Sequence, residues 1–211
     1  ISGGPGGIDT LVESRDADMV LTSDTLVIAG ETDDLAGIDA AELTGGGSDN
    51  TFDASAFLGP VIFTSGGGLD SFVGPTGGSG QTEYRLDVTG LTTPTSATDT
   101  ANQFDVNVGS RPAKVVIEGA GATVTQASLW WVNISGTGAA EADYVLRLTN
   151  DSLDIGRRFD EVMTVTENLV FSGRNITLEA GTVEIIGARI DTSSNLDAGN
   201  ITIIGKRIVI D

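Results

Sequence analysis

Three glycine-rich stretches place an aspartate or asparagine where a turn hands over to an apolar run. They are Gly4-Pro-Gly-Gly-Ile-Asp-Thr-Leu-Val12, Gly45-Gly-Gly-Ser-Asp-Asn-Thr-Phe-Asp53 and Ser65-Gly-Gly-Gly-Leu-Asp-Ser-Phe-Val73. Each follows the nonapeptide pattern G-G-x-G-x-D-x-U-x, in which U is a large apolar residue. Glycines allow a tight turn with inward carbonyl oxygens, the aspartate adds a carboxylate, and the apolar residue starts a buried strand. An all-oxygen ligand set suits Ca2+, so Asp9, Asp70 and Asn50 are the candidate metal residues and calcium is the candidate cofactor, held weakly. The copies depart from the pattern at Pro5, Ser48, Asn50 and Ser65, and Asn50 offers a neutral amide instead of a carboxylate. They are also isolated and not consecutive, because stretches of other sequence separate Asp9 from Asn50 and Asn50 from Asp70. The turns are therefore expected to serve first as structural corners.

Trp130 and Trp131 are the other candidate binding residues. Neighbours in a strand face opposite sides, so one indole is expected inside and the other outside, where it can stack on a sugar. Covering an edge or packing on the next module is the commoner use of such a residue. The acid pairs Asp33-Asp34, Asp151 with Asp154, and Asp160-Glu161 near Arg157-Arg158 raise the chemistry of glycoside hydrolysis. Aromatic residues make up only 5% of the chain, too few for a run of sugar subsites, so the chain is expected not to be an enzyme. The sequons at Asn133, Asn150, Asn175 and Asn200 are expected by chance in a chain this rich in Asn, Ser and Thr.

Composition narrows the field further. The chain has 211 residues, no histidine and no cysteine, which removes the usual general base, thiolate catalysis, thiolate zinc sites and disulfides. Thirty acidic residues against 11 basic ones give a formal charge of −19, which repels nucleic-acid phosphates and anionic lipid headgroups. Neither nucleic acid nor membrane insertion is expected. No stretch approaches the roughly 18 apolar residues of a membrane span, and no signal peptide opens the chain. Ile1 in place of Met, and a strand-like Arg207-Ile-Val-Ile-Asp211 that simply stops, read as an excised piece of something longer.

The elements that must position these residues are short apolar runs bounded by Gly, Asn, Asp or Ser, such as Met19-Val-Leu-Thr22, Leu26-Val-Ile-Ala29 and Val61-Ile-Phe-Thr64. No window sustains helical spacing, so the fold class is all-β. Val183-Glu-Ile-Ile-Gly187 returns as Ile201-Thr-Ile-Ile-Gly205, and one common spacing relates Ile186 to Ile204, Gly187 to Gly205 and Ile190 to Ile208. Repeats of strand and glycine corner with variable spacing favour an elongated parallel β-solenoid, a β-helix or β-roll, over an antiparallel sandwich. Residues 1–80 are expected to form a degenerate β-roll-like module and residues 159–211 parallel β-helix coils. In residues 81–158 either the solenoid continues or a small sandwich interrupts it; continuation is favoured.

The wording of residues 3–74 goes beyond the nonapeptides. Asp9-Thr-Leu-Val-Glu-Ser14, Asp16-Ala-Asp-Met-Val-Leu-Thr22, Gly37-Ile-Asp-Ala-Ala-Glu-Leu-Thr-Gly-Gly46 and Asp49-Asn-Thr-Phe-Asp-Ala-Ser-Ala-Phe57 resemble a module of giant secreted bacterial repeat proteins. These are the haemolysin-type calcium-binding and filamentous-haemagglutinin-like adhesins, and the turns themselves are similar to degenerate repeats-in-toxin turns. The resemblance implies a non-catalytic stalk or filament segment at the bacterial cell surface, outside the cell. Its implied partners are neighbouring repeats of the same or a longer chain and cell-surface glycans. A carbohydrate-active β-helix enzyme or carbohydrate-binding module is the alternative.

Overall fold

The computed structural model describes residues 1–119, 123–138, 143–147, 162–171, 173–195 and 198–211. These are all-β apart from two 3-10 turns, Thr100–Asn102 and Gln126–Leu129, and no described helix is long and apolar enough to cross a membrane. The first strands in chain order are β1 (Thr10–Ser14), β2 (Met19–Thr22), β3 (Thr25–Ile28), β4 (Glu31–Asp34), β5 (Ala40–Thr44), β6 (Thr51–Ala56), β7 (Val61–Thr64), β8 (Ser71–Val73), β9 (Thr82–Asp87) and β10 (Phe104–Asn107). They continue as β11 (Ala113–Glu118), β12 (Thr123–Val124), β13 (Val132–Ser135), β14 (Asp143–Arg147), β15 (Val162–Val165), β16 (Leu169–Val170), β17 (Asn175–Glu179), β18 (Thr182–Ile185), β19 (Ile190–Asp191), β20 (Ile201–Ile204) and β21 (Arg207–Ile210). Two compact units result, one from Ile1–Leu86, Phe104–Lys114 and Val132–Ala139, the other from Asp87–Gln103, Val115–Trp131 and Ala140–Asp211.

In the first unit β1, β5, β7 and β9 lie side by side in parallel, and β13, β10, β8, β6 and β2 form a second parallel set. Ala41 faces Val61 and Thr51 faces Ser71, the same step along the chain in both sheets, and Ile62 faces Glu83 by a step only slightly longer. Period-two alternation then sends every second side chain inward. Leu43, Phe63 and Tyr84 bury on one sheet, and Met19, Phe52, Phe72 and Val106 bury on the other. The inward columns are aromatic: Phe52 stacks on Phe72 with centroids 5.2 Å apart, and Phe63 stacks on Tyr84 at 5.2 Å. Such pairs add about 0.5–1.5 kcal/mol each beyond the area they bury.

Between the facing residues Met19 and Phe52 the step along the chain is much longer, because the hairpin β3–β4 is inserted there and pairs antiparallel with β2. Its turn, Ala29 at φ 50° and Gly30 at φ 86°, has the two positive φ angles of a type I′ hairpin. Glu31, Asp33 and Asp34 on β4 are exposed, so this edge of the sheet is blunted by charge.

In the second unit all described pairings are again parallel: β14 with β17 and β17 with β20, β12 with β15, β15 with β18 and β18 with β21, and β16 with β19. The stacking step is longer than the spacing read in the sequence. Ile176 faces Ile201 and Val183 faces Ile208, and the two pairs share one step. The similar segments β18 and β20 lie in different sheets. Any strand that turns two apolar residues inward and then meets a glycine corner reads alike, so the likeness marks a shared element and not the length of one turn of the chain.

Candidate functional site

The second and third nonapeptides stack directly. Gly66, at φ +80°, lets the later corner lie flat on the earlier one, since a Cβ there would sit 2.5 Å from the Gly45 carbonyl oxygen. Across this contact the two corners exchange caps. The Leu69 N–H donates to Asp49 Oδ1 at 2.7 Å, and the Asn50 N–H donates to Asp70 Oδ1 at 2.7 Å. From the corner before β2, Asp16 Oδ1 accepts from the Ser48 N–H at 3.1 Å and Asp18 Oδ1 accepts from the Thr51 N–H at 2.7 Å.

Asp70 stands two residues before the buried Phe72 and shares its inward side. It is 1% exposed, and its second oxygen has no hydrogen-bond partner among the described residues. Burial, with Asp49 and Asp16 nearby, pushes its carboxyl up to about 7, against the pull of the Asn50 N–H. With one oxygen engaged and the group shut off from water, a proton suits it better than a hydrated calcium ion. With its amide turned to donate, Asn50 is the donor of the cluster, placing Nδ2 3.3 Å from Asp16 Oδ1 and 3.3 Å from the Ser48 carbonyl. A carboxylate there would add a negative charge beside Asp16 and Asp49 and next to the Asp70 carboxyl.

Asp9 belongs to a different corner. Its N–H donates to Asp39 Oδ2 at 3.0 Å, and the Asp39 N–H donates back to the Asp9 carbonyl at 2.8 Å. The structure thus brings Asn50 and Asp70 together and places Asp9 with Asp39. The signal for that pairing is in the sequence: Gly7-Ile-Asp9 and Gly37-Ile-Asp39 are the same three residues, and Thr10 faces Ala40 in the ladder that follows. Asp39 is exposed and Asp9 half-buried, so solvent reaches this corner. Among the described residues no three acids, histidines or cysteines gather closely enough to hold a metal. An ion at Asp9 would draw most of its oxygens from carbonyls and water.

Trp131 is 4% exposed and Trp130 half-buried. They do not alternate along a strand, because Trp130 closes the 3-10 turn Gln126–Leu129 and Trp131 precedes β13. The Trp130 carbonyl accepts from Gln103 Nε2 at 2.6 Å. Asp33 lines an acidic cleft of about 250 Å³ with Glu13, Arg15, Asp16 and Glu31. Asn150, Asp151, Asp154, Arg157, Arg158, Asp160 and Glu161 lie outside the described residues.

One buried residue carries no signal in the sequence. Arg111 is 4% exposed and donates to the carbonyls of Gly59 at 2.7 Å, Leu58 at 2.6 Å and Gly77, holding two corner loops together. Desolvation lowers its pKa, and nearby Tyr84 acts in the opposite direction. The chain matches no protein-family model, no curated protein and no solved structure.

Proposed function

We propose that this chain is a non-catalytic structural segment, a stalk or filament piece of a large secreted bacterial surface protein, built as an elongated parallel β-solenoid. The observation that carries the reading is how the carboxylates are spent. Asp49 and Asp70 cap each other's neighbouring coils, and Asp16 and Asp18 cap the coil above theirs. Asp87 and Asp191, at strand ends, each accept the N–H two residues on. An acid-rich chain whose acids hold corners in place is suited to length and solubility.

Further coils of the same kind are the natural partners, and contacts to cell-surface glycans would fall to Trp130, the more open indole. Calcium enters as a weak stabiliser of the Asp9–Asp39 corner. Small-angle scattering tests the shape: a globule of this length has a radius of gyration near ~17 Å, and an elongated solenoid exceeds it clearly. A polysaccharide panel tests the chemistry. Turnover abolished by a single carboxylate substitution would replace the structural reading with the carbohydrate-active one.

A further inference from the structure

Among the described pairings of the first unit, only those of the hairpin β3–β4 and of β3 with β2 are antiparallel. The hairpin lies on the side of β2 away from β6. Because β6 and β8 follow β2 in order on one side, a coil from earlier in the chain would have to stack on the other. That edge is filled by β3, a strand later in the chain than β2 itself. It is therefore closed whatever lies before Ile1.

The inward columns end on the hairpin. Residues that face each other in neighbouring strands share a face. One column runs from Phe72 through Phe52, Met19 and Ile28 to Glu31, and another from Leu21 through Leu26 to Asp33. Phe72, Phe52, Met19, Leu21 and Leu26 are all buried, so Glu31 and Asp33 stand where the next apolar pair of a continuing stack would be. Together with Glu13 and Asp16 they line the acidic cleft, and the basic residue lining it, Arg15, is held by Glu13 at 3.0 Å. A strand laid in register on β4 would carry the columns over both carboxylates and shut them from water without a cation of their own, which desolvation makes costly.

We propose that the hairpin β3–β4 is an end cap, which closes one side of the parallel stack of the first unit and makes the addition of coils one-sided. In the stalk proposed above, on which this rests, further coils are carried on the β6 side of β2 and none on the β4 side. The block lies in the side chains and not in the main chain. The Leu35 N–H donates to the Asp24 carbonyl at 2.7 Å, so alternation turns the main-chain groups of Thr32 and Asp34 to the outer edge of β4. The Asp34 carbonyl, which accepts from the Ile1 nitrogen at 2.7 Å, points that way. The edge is thus able to bond a strand, and inward-pointing charge is what refuses one. A stack of coils needs a polar outer face at its end to stay soluble, and the hairpin supplies it.

The test removes the two charges. Glu31→Val/Asp33→Val puts side chains suited to a strand at two exposed positions, so the fold should survive. Thr32→Val/Asp34→Val adds the same side chains on the outward face and keeps both inward acids. In sedimentation over a concentration series, the first variant should associate with an apparent dissociation constant roughly tenfold or more below that of the unsubstituted chain, while the second should match that chain. Amide exchange at Thr32 and Asp34 should slow as the first variant associates. Scattering of the unsubstituted chain tests the stalk by itself: a globular radius overturns the stalk, whereas the contrast between the two variants decides the cap. No gain in association by the first variant, an equal gain by both, or association that leaves the Thr32 and Asp34 amides unprotected would each overturn the cap.

Discussion

Asp49 and Asp70, in corners stacked one on the other, cap each other's backbone: Asp49 accepts the N–H of Leu69 beside Asp70, and Asp70 accepts the N–H of Asn50 beside Asp49, both at 2.7 Å. The exchange locks two glycine-rich turns that would otherwise slide, since glycine corners carry few side chains to set register. The two acids differ in one respect that decides their chemistry. Asp70 is buried, with its second oxygen unpartnered among the described residues.

That burial makes stability depend on pH. The Asp70 carboxyl titrates near 3.8 when unfolded and is raised to about 7 in the fold. Below pH 4 both states hold the proton and its contribution is fully present. Between pH 4 and pH 7 the unfolded chain has released the proton while the fold still holds it, so stability falls across that window, and above pH 7 the full loss, on the order of 4 kcal/mol for a shift of this size, has been taken. Asp70→Asn keeps an oxygen for the Asn50 N–H and cannot ionise. Urea unfolding should find this variant more stable than the parent at pH 8, with the advantage gone at pH 4. A parent that is the more stable of the two at pH 8 would show that the ionised carboxylate is well solvated or paired.

Asn50→Asp would bring the sequence closer to the nonapeptide pattern and is expected to damage the protein. It removes the donor facing Asp16 Oδ1 and the Ser48 carbonyl, and adds charge next to Asp70. A loss of about 2–4 kcal/mol at pH 8, smaller at pH 5, is expected from equilibrium unfolding. Unchanged stability at both values would mean that the corner has room and water enough for a fourth carboxylate.

How much of this was legible follows from what each feature is made of. Strands and corners were legible at Met19–Thr22 and Val61–Thr64, because period-two burial and bounding glycine or polar residues are local properties. Parallel pairing was foreseen from repetition, yet the step between stacked strands was misread: Val183 faces Ile208, whereas the sequence likeness pointed to Ile201. The step is a sum of corner lengths, and corners vary without changing the strands. The grouping of Asn50 with Asp70 and of Asp9 with Asp39 needed that step to be known. Arg111 was illegible, because a guanidinium surrounded by carbonyls leaves no pattern in the residues that supply them.

Arg111 is the prediction that follows from that last point. Its buried guanidinium donates to the part-buried carbonyls of Leu58, Gly59 and Gly77. Arg111→Met keeps the apolar stem and removes every donor. Losing the bonds to these part-buried carbonyls should cost roughly 1–3 kcal/mol, and Arg111→Lys, with its compact head, should recover only part of it. The readout is the denaturant midpoint. Equal midpoints for Arg111→Met and the parent would place water, and not Arg111, as the partner of those carbonyls.

The calcium expectation comes down to Asp9. Asp39 holds the Asp9 N–H through one oxygen, and with Asp39 exposed and Asp9 half-buried a cation can reach this corner while keeping part of its water. Open corners of this kind bind calcium at about 10⁻⁴–10⁻³ M, and the gain in stability follows RT ln(1 + [L]/Kd), about 2.7 kcal/mol at a hundredfold excess. The melting temperature should therefore be higher in calcium than in magnesium or EDTA at matched ionic strength. Magnesium is the fair control, because general screening of 30 acidic residues would respond to either ion. Asp9→Asn should erase the difference while leaving the melting temperature in EDTA nearly unchanged, since the Asp9 backbone makes the bonds to Asp39. Asp70→Asn should leave the calcium increment intact, because that carboxyl is closed to solvent. Should calcium act no better than magnesium, or should Asp70→Asn and not Asp9→Asn remove its effect, the ion does not bind at the Asp9–Asp39 corner.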